Sequence, residues 1–150
     1  MTAKKDIDSF LRQKNIAVAG VSRNRFKLAN RAFYELRARG HRVFPVNPRM
    51  ELFEGKLCYP NLVAIPDPVD AALIVVPPPA TEKVVQYAAM AEIPWIWLQQ
   101  GSETDNAIRF CEKHGMKVIH HECIMMFIEP VRFPHHVHRW LWRRLGKYPT

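Results

Sequence analysis

Short apolar runs that alternate with amphipathic segments are the feature that most constrains the fold of this chain. The strongest run, AALIVV at residues 71–76, is apolar throughout, which is typical of a parallel strand covered on both faces. Similar runs lie at 16–20 (IAVAG), 42–46 (RVFPV), 93–98 (IPWIWL) and 117–121 (KVIHH). Strands that alternate with helices and short turns predict right-handed βαβ units and therefore a parallel sheet.

Helical periodicity fills the intervals between these runs, and it predicts four helices. We expect them around Ile7, Phe10 and Leu11, over residues 27–39, after Thr81 as an N-cap, and after a capping box of Ser102 and Asp105. Pro45 cannot donate to a strand ladder, so the second strand is expected near an edge of the sheet or ending there. Residues 48–68 are too rich in proline for a long regular element, although LVAI at 62–65 fits one turn of helix.

These elements predict an α/β chain with one Rossmann-like, three-layer domain over residues 1–128 and a basic C-terminal helical tail over 129–150. The 150 residues bury one core and leave no room for a second full domain. No stretch approaches the roughly 18 apolar residues of a membrane span, and no apolar signal segment follows the amino terminus, so we expect a cytoplasmic protein. The net charge of +8 favours anionic partners.

Ligands of open parallel sheets bind in the crevice at the carboxyl ends of the strands, so the loops after the strands are the candidate site. They are GVSRNRFK (20–27), VNPR (46–49), VPPPA (76–80), LQQGSE (98–103) and HECIMM (121–126).

The first of these loops leads into a helix, whose amino terminus favours phosphate. Arg23, Arg25 and Lys27 add cations there, and Ser22 adds a hydroxyl. Each basic residue alone fits a solvated loop tip, but three together favour an anion site. Gly20 is the loop's only glycine, whereas a dinucleotide fingerprint needs G-x-G-x-x-G, which weakens the case for NAD or FAD.

The second loop holds Asn47, Pro48 and Arg49, where NAD-binding proteins place an acid for the ribose hydroxyls. A base at this position indicates a phosphate-bearing ribose, although Asn47-Pro48 is also a common start of a turn and Arg49 also fits an exposed surface residue. Pro77 and Pro78 end the central strand and offer a rigid apolar wall for a base or a pantetheine arm.

Several segments together carry a resemblance, through their order and spacing from about residue 9 to residue 126. They are IAVAGVSRN (16–24), GHRVFPVNP (40–48) after a helix, GKLCYPNL (55–62), VDAALIVVPP (69–78), WIWLQQGS (95–102) and GMKVIHHECIMM (115–126). With them the chain resembles the CoA-binding domain family, the Rossmann-like module found at the amino end of the succinyl-CoA synthetase α subunit and alone in small bacterial proteins.

The resemblance implies coenzyme A, or an acyl-CoA, as the ligand, and it also implies where each part of the ligand lies. Gly20, Val21 and Ser22 would hold the diphosphate; Val46, Asn47, Pro48 and Arg49 would flank the adenosine and its phosphate; Val76, Pro77 and Pro78 would line the adenine or pantetheine; and Gln99, Gln100 and Gly101 would guide the thiol arm. His121 and Glu122 depart from the family pattern, in which an aspartate and an arginine commonly precede the residue equivalent to Cys123.

The synthetase also needs a domain with a phosphorylated histidine and a partner subunit. We therefore expect a binding module without ligase activity of its own. The rival functions are an NAD(P)-dependent oxidoreductase and a nucleic-acid binder, and we rank both below CoA binding. The basic tail, which includes Trp140 and Arg144, fits docking on the domain, a homo-oligomer interface, or an acidic partner or membrane surface; docking is favoured.

Histidine and cysteine near the last strand raise two further hypotheses. A metal site would combine His121 and Cys123 with His135 and His138, but nothing in the sequence brings the two segments together, so we expect no metal. Cys123 would be a reactive thiol only with a lowered pKa, and a buried structural cysteine is the favoured interpretation. The odd number of three cysteines argues against a disulfide framework.

Overall fold

The computed structural model describes residues 3–128, and the predicted alternation of strands and helices is present throughout them. In chain order the regular elements are α1 (Lys4–Leu11), β1 (Asn15–Ala19), α2 (Leu28–Ala38), β2 (Arg42–Val46), β3 (Leu52–Phe53), β4 (Lys56–Leu57), β5 (Ala71–Ile74), α3 (Pro78–Met90), β6 (Trp95–Gln99), α4 (Asp105–Lys113) and β7 (Lys117–Glu122), with 3₁₀ turns at Leu62–Ala64 and Ile124–Met126.

Five strands form one sheet in the order β2-β1-β5-β6-β7, and every pair is parallel. The chain moves from β1 to β2 on one side and then returns to β5 on the other side of β1. This reversal makes the carboxyl ends of β1 and β5 the topological switch point, where such sheets bind ligands. The sheet also explains Pro45, which lies in the edge strand β2 as the sequence predicted.

Apolar side chains fill both faces of the sheet. On one face, Phe10 of α1 and Leu36 of α2 pack in one cluster with Trp97 of β6. On the other, Val85 of α3 and Ala107 of α4 belong to a second cluster. The helices therefore form two layers around the sheet, which confirms the predicted Rossmann-like three-layer fold.

The start of α3 differs from the prediction. Thr81 was expected to be the N-cap, but the helix begins at Pro78 and Pro77 is its N-cap. Proline suits the first helical position because the amide hydrogen it lacks would have no helical partner there. Thr81 lies inside the helix, fully buried, and its hydroxyl donates to the carbonyl of Ser102 at 2.6 Å.

The start of α4 also differs from the prediction, by two positions. The predicted capping box of Ser102 and Asp105 is wrong, because Thr104 is the N-cap and its hydroxyl accepts from the amide of Ala107 at 3.0 Å. The Ser102 hydroxyl instead accepts from the amide of Val76 at 3.2 Å. Ser102 therefore ties the loop after β6 to the loop after β5.

The proline-rich stretch at 48–68 contains a small hairpin that was not predicted from the sequence. Strands β3 and β4 pair antiparallel across Glu54 and Gly55, both with positive φ. Phe53 holds this hairpin on α2, with its ring centroid 4.9 Å from that of Phe33. The predicted turn of helix near residue 62 is present as a 3₁₀ turn.

The predicted tail at 129–150 lies outside the described residues. Within residues 3–128, none of the helices combines the length and hydrophobicity needed to cross a membrane.

Candidate ligand-binding edge of the sheet

Gly20 lies where the loops after β1, β2 and β5 meet. Its φ of +110° falls in a region that side chains rarely adopt, and its amide donates to the carbonyl of Val46 at 3.0 Å. The backbone after β5 passes so close that the carbonyl of Val75 leaves no room for a Cβ. Glycine is required here, and the close approach fixes the first loop against its neighbouring strands.

Two asparagine side chains fix the path of the first loop. Asn30, in the first turn of α2, accepts from the amide of Ser22 at 2.8 Å and donates to its carbonyl at 2.7 Å. Asn47, directly after β2, donates to the carbonyl of Val21 at 2.7 Å. Both backbone groups of Ser22 are therefore held by one buried side chain, which preorganises the loop.

Asn30 is a site residue that the sequence interpretation missed. It is 1% exposed, although it lies between the apolar Ala29 and Ala32 in the buried stripe of α2. A polar side chain inside such a stripe is the signal that would have found it, because a buried amide needs hydrogen-bond partners.

The cations of the first loop remain open to solvent. Arg23, Arg25 and Lys27 are all exposed, and Arg25 lies over the ring of Phe26 with its Cζ 5.8 Å from the centroid. Lys27 is the N-cap of α2, and its side chain makes no capping hydrogen bond among the described residues. The positive end of the helix dipole therefore faces a surface that already carries three cationic side chains.

The Ser22 hydroxyl is engaged inside the loop. Its oxygen accepts from the amide of Asn24 at 3.1 Å and lies 3.2 Å from the Asn24 carbonyl. It therefore shapes the turn, in addition to any contact with a ligand.

The second and third loops flank this surface. Asn47 accepts from the amide of Arg49 at 2.7 Å, and both Pro48 and the Arg49 side chain are exposed. After β5, Val76 is half-buried, and Pro77 and Pro78 are exposed at the start of α3. The structure thus places all of these predicted residues at one edge of the sheet.

The loop after β6 differs from the prediction at one residue, Gln99. Gln99 was predicted to lie in the loop at 98–103, but it is the last residue of β6 and is 3% exposed. Its Oε1 accepts from the amide of Ile124 at 3.0 Å, so its side chain supports the loop after β7. The register between β6 and β7 shifts between Trp97 and Gln99. Gln100 and Gly101 are exposed and form the turn.

An ionisable cluster that the sequence interpretation did not assemble occupies the ends of β6 and β7. His121 Nε2 lies 3.6 Å from Glu103 Oε1, and Glu103 Oε2 accepts from the amide of Gly101 at 3.0 Å. Nδ1 of His120 and Nδ1 of His121 are 2.6 Å apart. Burial, and next the proximity of His121, lowers the pKa of His120 below its usual value.

Glu122 is buried beside this cluster. It is 3% exposed, and its Oε2 has no hydrogen-bond partner within residues 3–128. Burial raises the pKa of this carboxyl to about 7. Its backbone carbonyl accepts from Trp97 Nε1 at 3.0 Å.

The cysteines and the metal hypothesis have simpler outcomes. Cys58, Cys111 and Cys123 are free and buried, and burial raises the pKa of the Cys111 thiol to about 12. Across residues 3–128, no three histidine, cysteine, aspartate or glutamate side chains are grouped as metal ligands would be. The second half of the hypothetical metal site, His135 and His138, lies outside the described residues.

The sheet order, the switch point and the loops around Gly20 define a Rossmann-like α/β protein. The model of the CoA binding domain family matches residues 14–129, and the chain belongs to that family.

The relatives of the chain include both ligases and small proteins. It is 28% identical over 129 residues to the acetate–CoA ligase (ADP-forming) II α subunit of Pyrococcus furiosus, covering 79% of this chain and 28% of that one. It spans less than a third of the length of the curated relatives that it matches. These relatives are acetate–CoA ligases, so the likeness to succinyl-CoA synthetase holds only loosely.

Two solved structures match over most of their own length. A hypothetical protein from Pyrococcus horikoshii is 29% identical with a TM-score of 0.81, covering 87% of this chain and 92% of that chain. A conserved hypothetical protein from Pyrococcus furiosus is 35% identical with a TM-score of 0.69, covering 74% and 96%.

Proposed function

We propose that the chain binds coenzyme A, with the diphosphate at the amino terminus of α2. The main support is the loop from Gly20 to Ser22, which Asn30 and Asn47 hold in one conformation. A loop fixed before the ligand arrives does not lose conformational entropy on binding, so more of the interaction energy contributes to affinity. The uncapped helix end and the neighbouring cations supply the charge.

Arg49 is the proposed partner of the 3′-phosphate. It follows the strand next to β1, and its amide is fixed by Asn47, the residue that also fixes the first loop. The exposed guanidinium can therefore form charge-assisted hydrogen bonds to a phosphate on the ribose. This contact distinguishes coenzyme A from its dephosphorylated form.

The pantetheine arm runs along the carboxyl edge of the sheet from β5 towards β7. Val76, Pro77 and Pro78 offer an apolar wall without amide donors at the prolines, and the exposed turn of Gln100 and Gly101 follows on the next strand. A mostly apolar wall with a few placed polar groups is typical of sites for cofactors of this size.

The module binds without ligase activity in the absence of further domains, and an acyl-CoA fits the same site as CoA. The ligase relatives extend far beyond the part that matches this chain. With ATP or GTP, CoA, and acetate or succinate present, we expect no phosphate or nucleoside diphosphate above the background of buffer alone. Turnover that depends on this chain would refute the non-catalytic role.

Calorimetric titration with CoA, 3′-dephospho-CoA and NADP tests the proposal. We expect CoA to bind with a Kd of about 1–10 μM, and dephospho-CoA about ten times more weakly. NADP carries a ribose phosphate but no pantetheine arm, so it should bind more weakly than CoA. Tighter binding of NADP than of CoA would support an oxidoreductase-like site, and no binding of any of the three would contradict the proposal.

A further inference from the structure

The cluster of Glu103, His120 and His121 lies beside the Gln100–Gly101 turn that the proposed pantetheine arm follows. Glu103 comes two residues after Gly101, and the two histidines lie in the next strand, β7. The arm is comparable in length to about four extended residues, ~14 Å. The ends of β1 and β7 are separated by β5 and β6, which makes three strand spacings, also ~14 Å. An arm anchored by its phosphates at the loop after β1 therefore ends beside β7.

Glu103 connects the turn to the histidines. One carboxylate oxygen accepts from the amide of Gly101, and the other lies 3.6 Å from His121 Nε2. Glu103 is only 15% exposed in its side chain, while His121 is 60% exposed. The histidine is thus oriented by a mostly buried carboxylate and still accessible to a ligand that follows the Gly101 turn.

The backbone at His121 supports a functional role for this arrangement. Its φ of 60° lies in the left-handed region, which is uncommon for residues other than glycine, although histidine, asparagine and aspartate adopt it more often than the rest. The irregular register between β6 and β7 occurs at the same place. Strained residues and bulges of this kind concentrate at functional sites, where they direct a side chain out of the regular sheet.

Resting on the proposed CoA site, we propose that His121, with Glu103 and His120, accepts the proton of the CoA thiol and holds bound CoA as a reactive thiolate. Activated nucleophiles in enzymes have the same three parts: a thiol, a base next to it, and a third group that orients the base. Here His121 is the base and Glu103 orients it. It adds a thiol-activating step to a site otherwise proposed only to bind.

The proton transfer leaves every group of the cluster satisfied. The S–H bond breaks, the electron pair stays on sulfur, and the proton goes to the imidazole pair. Before the transfer, Nδ1–H of His121 donates to Nδ1 of His120, and the lone pair of Nε2 is free to take the thiol proton. Afterwards the charged ring forms an ion pair with Glu103, whose Oε1 lies 3.6 Å from Nε2. The resulting imidazolium lies next to the thiolate and stabilises it by charge.

The other ionisable groups around the thiol position fit this direction of transfer. His120 has a lowered pKa, so it is neutral and able to accept the hydrogen bond from His121 near pH 7. Glu112 of α4 also acts on the pair, because its charge, like that of Glu103, favours a proton on His120. Glu122 follows His121 in β7 and is buried, with a raised pKa. Carboxylates around the pair stabilise the imidazolium after the transfer.

The test is the pH profile of alkylation of bound CoA by iodoacetamide, using the full chain at saturating CoA. The thiolate forms a bond to carbon and iodide leaves, and chromatography quantifies the S-alkylated CoA apart from any protein adduct. The variants are His121→Asn and Glu103→Gln. Asparagine tolerates the left-handed backbone at 121, so folding is retained. His114→Asn is the control, because His114 lies at the opposite end of α4 from this edge.

We expect the apparent thiol pKa of bound CoA to be lower than that of free CoA by at least about one unit. His121→Asn should return it to the value of free CoA, Glu103→Gln should return it in part, and His114→Asn should leave it unchanged. CoA affinity, measured on the same samples, separates the two proposals. Normal affinity with the thiol pKa of free CoA overturns only the thiolate site, whereas loss of binding by the unmodified chain overturns both.

Discussion

A Cβ placed on Gly20 would lie 1.8 Å from the carbonyl oxygen of Val75. This contact brings the backbone after β1 against the backbone after β5 at the switch point of the sheet. The proposed phosphate loop and the proposed pantetheine wall therefore share one rigid junction, and any side chain at position 20 would separate them.

Gly20→Ala should lower the free energy of unfolding by about 3 kcal/mol or more, because it adds a backbone clash to the ~1–2 kcal/mol cost of a positive φ. Urea unfolding measures the effect. Gly115→Ala is the matched control, since Gly115 also has a positive φ (+71°) but nothing within 4 Å of an added Cβ. Gly115→Ala should lower the free energy of unfolding only by the cost of the positive φ. Equal losses of stability in the two variants would contradict the role of the Val75 contact.

Asn30→Ala should weaken CoA binding about tenfold and lower stability by ~1–3 kcal/mol, because it removes both partners of the Ser22 backbone. Calorimetry gives the affinity and urea unfolding the stability. Asn106→Ala removes an exposed asparagine of α4 and should change neither. Unchanged affinity in a folded Asn30→Ala chain would show that the loop needs no such support.

The sheet could be predicted from the sequence because burial determines its strands directly. Residues 71–74 are apolar and fully buried in the centre, and Pro45 required an edge position that β2 provides. The exposed cations and prolines of the loops also fell at the predicted edge, since parallel strands bring their carboxyl ends together. These features depend on local composition and on chain order alone.

The errors arose where a polar side chain has a distant partner. Gln99 supports Ile124, 25 residues away, and Thr81 donates to Ser102, 21 residues away. His121 and Glu103 meet beyond the paired ends of β6 and β7, where the register of the two strands is irregular. A propensity or spacing argument contains none of this information, because such partners are set by the tertiary arrangement.

Arg49→Ala should weaken CoA about tenfold and leave 3′-dephospho-CoA unaffected, because the guanidinium is proposed to contact only the phosphate that differs between them. Calorimetry of both ligands with both the unmodified chain and the variant gives the interaction energy between Arg49 and the 3′-phosphate. Arg109→Ala, which removes an exposed arginine of α4, controls for the general loss of positive charge. A parallel weakening of both ligands by Arg49→Ala would place the phosphate elsewhere.

Glu122 should make the folded chain less stable as the pH rises. Its folded-state pKa of about 7 is above the ordinary value of 4.5, so the folded chain binds more protons than the unfolded chain between these values. This contribution to the free energy of unfolding is therefore fully present below about pH 4.5 and is lost as the pH rises through 7, by ~3 kcal/mol in all. The lowered pKa of His120 acts in the opposite direction, since it makes the chain less stable at low pH.

Glu122→Gln separates the two effects, because it keeps the shape of the side chain and removes its charge. Urea unfolding at pH 5, 6, 7 and 8 should show that the difference in stability between the variant and the unmodified chain grows with pH in favour of the variant. A difference that stays constant from pH 5 to 8 would mean that the Glu122 carboxyl is already ionised at the lower end, so that solvent or another group reaches its Oε2.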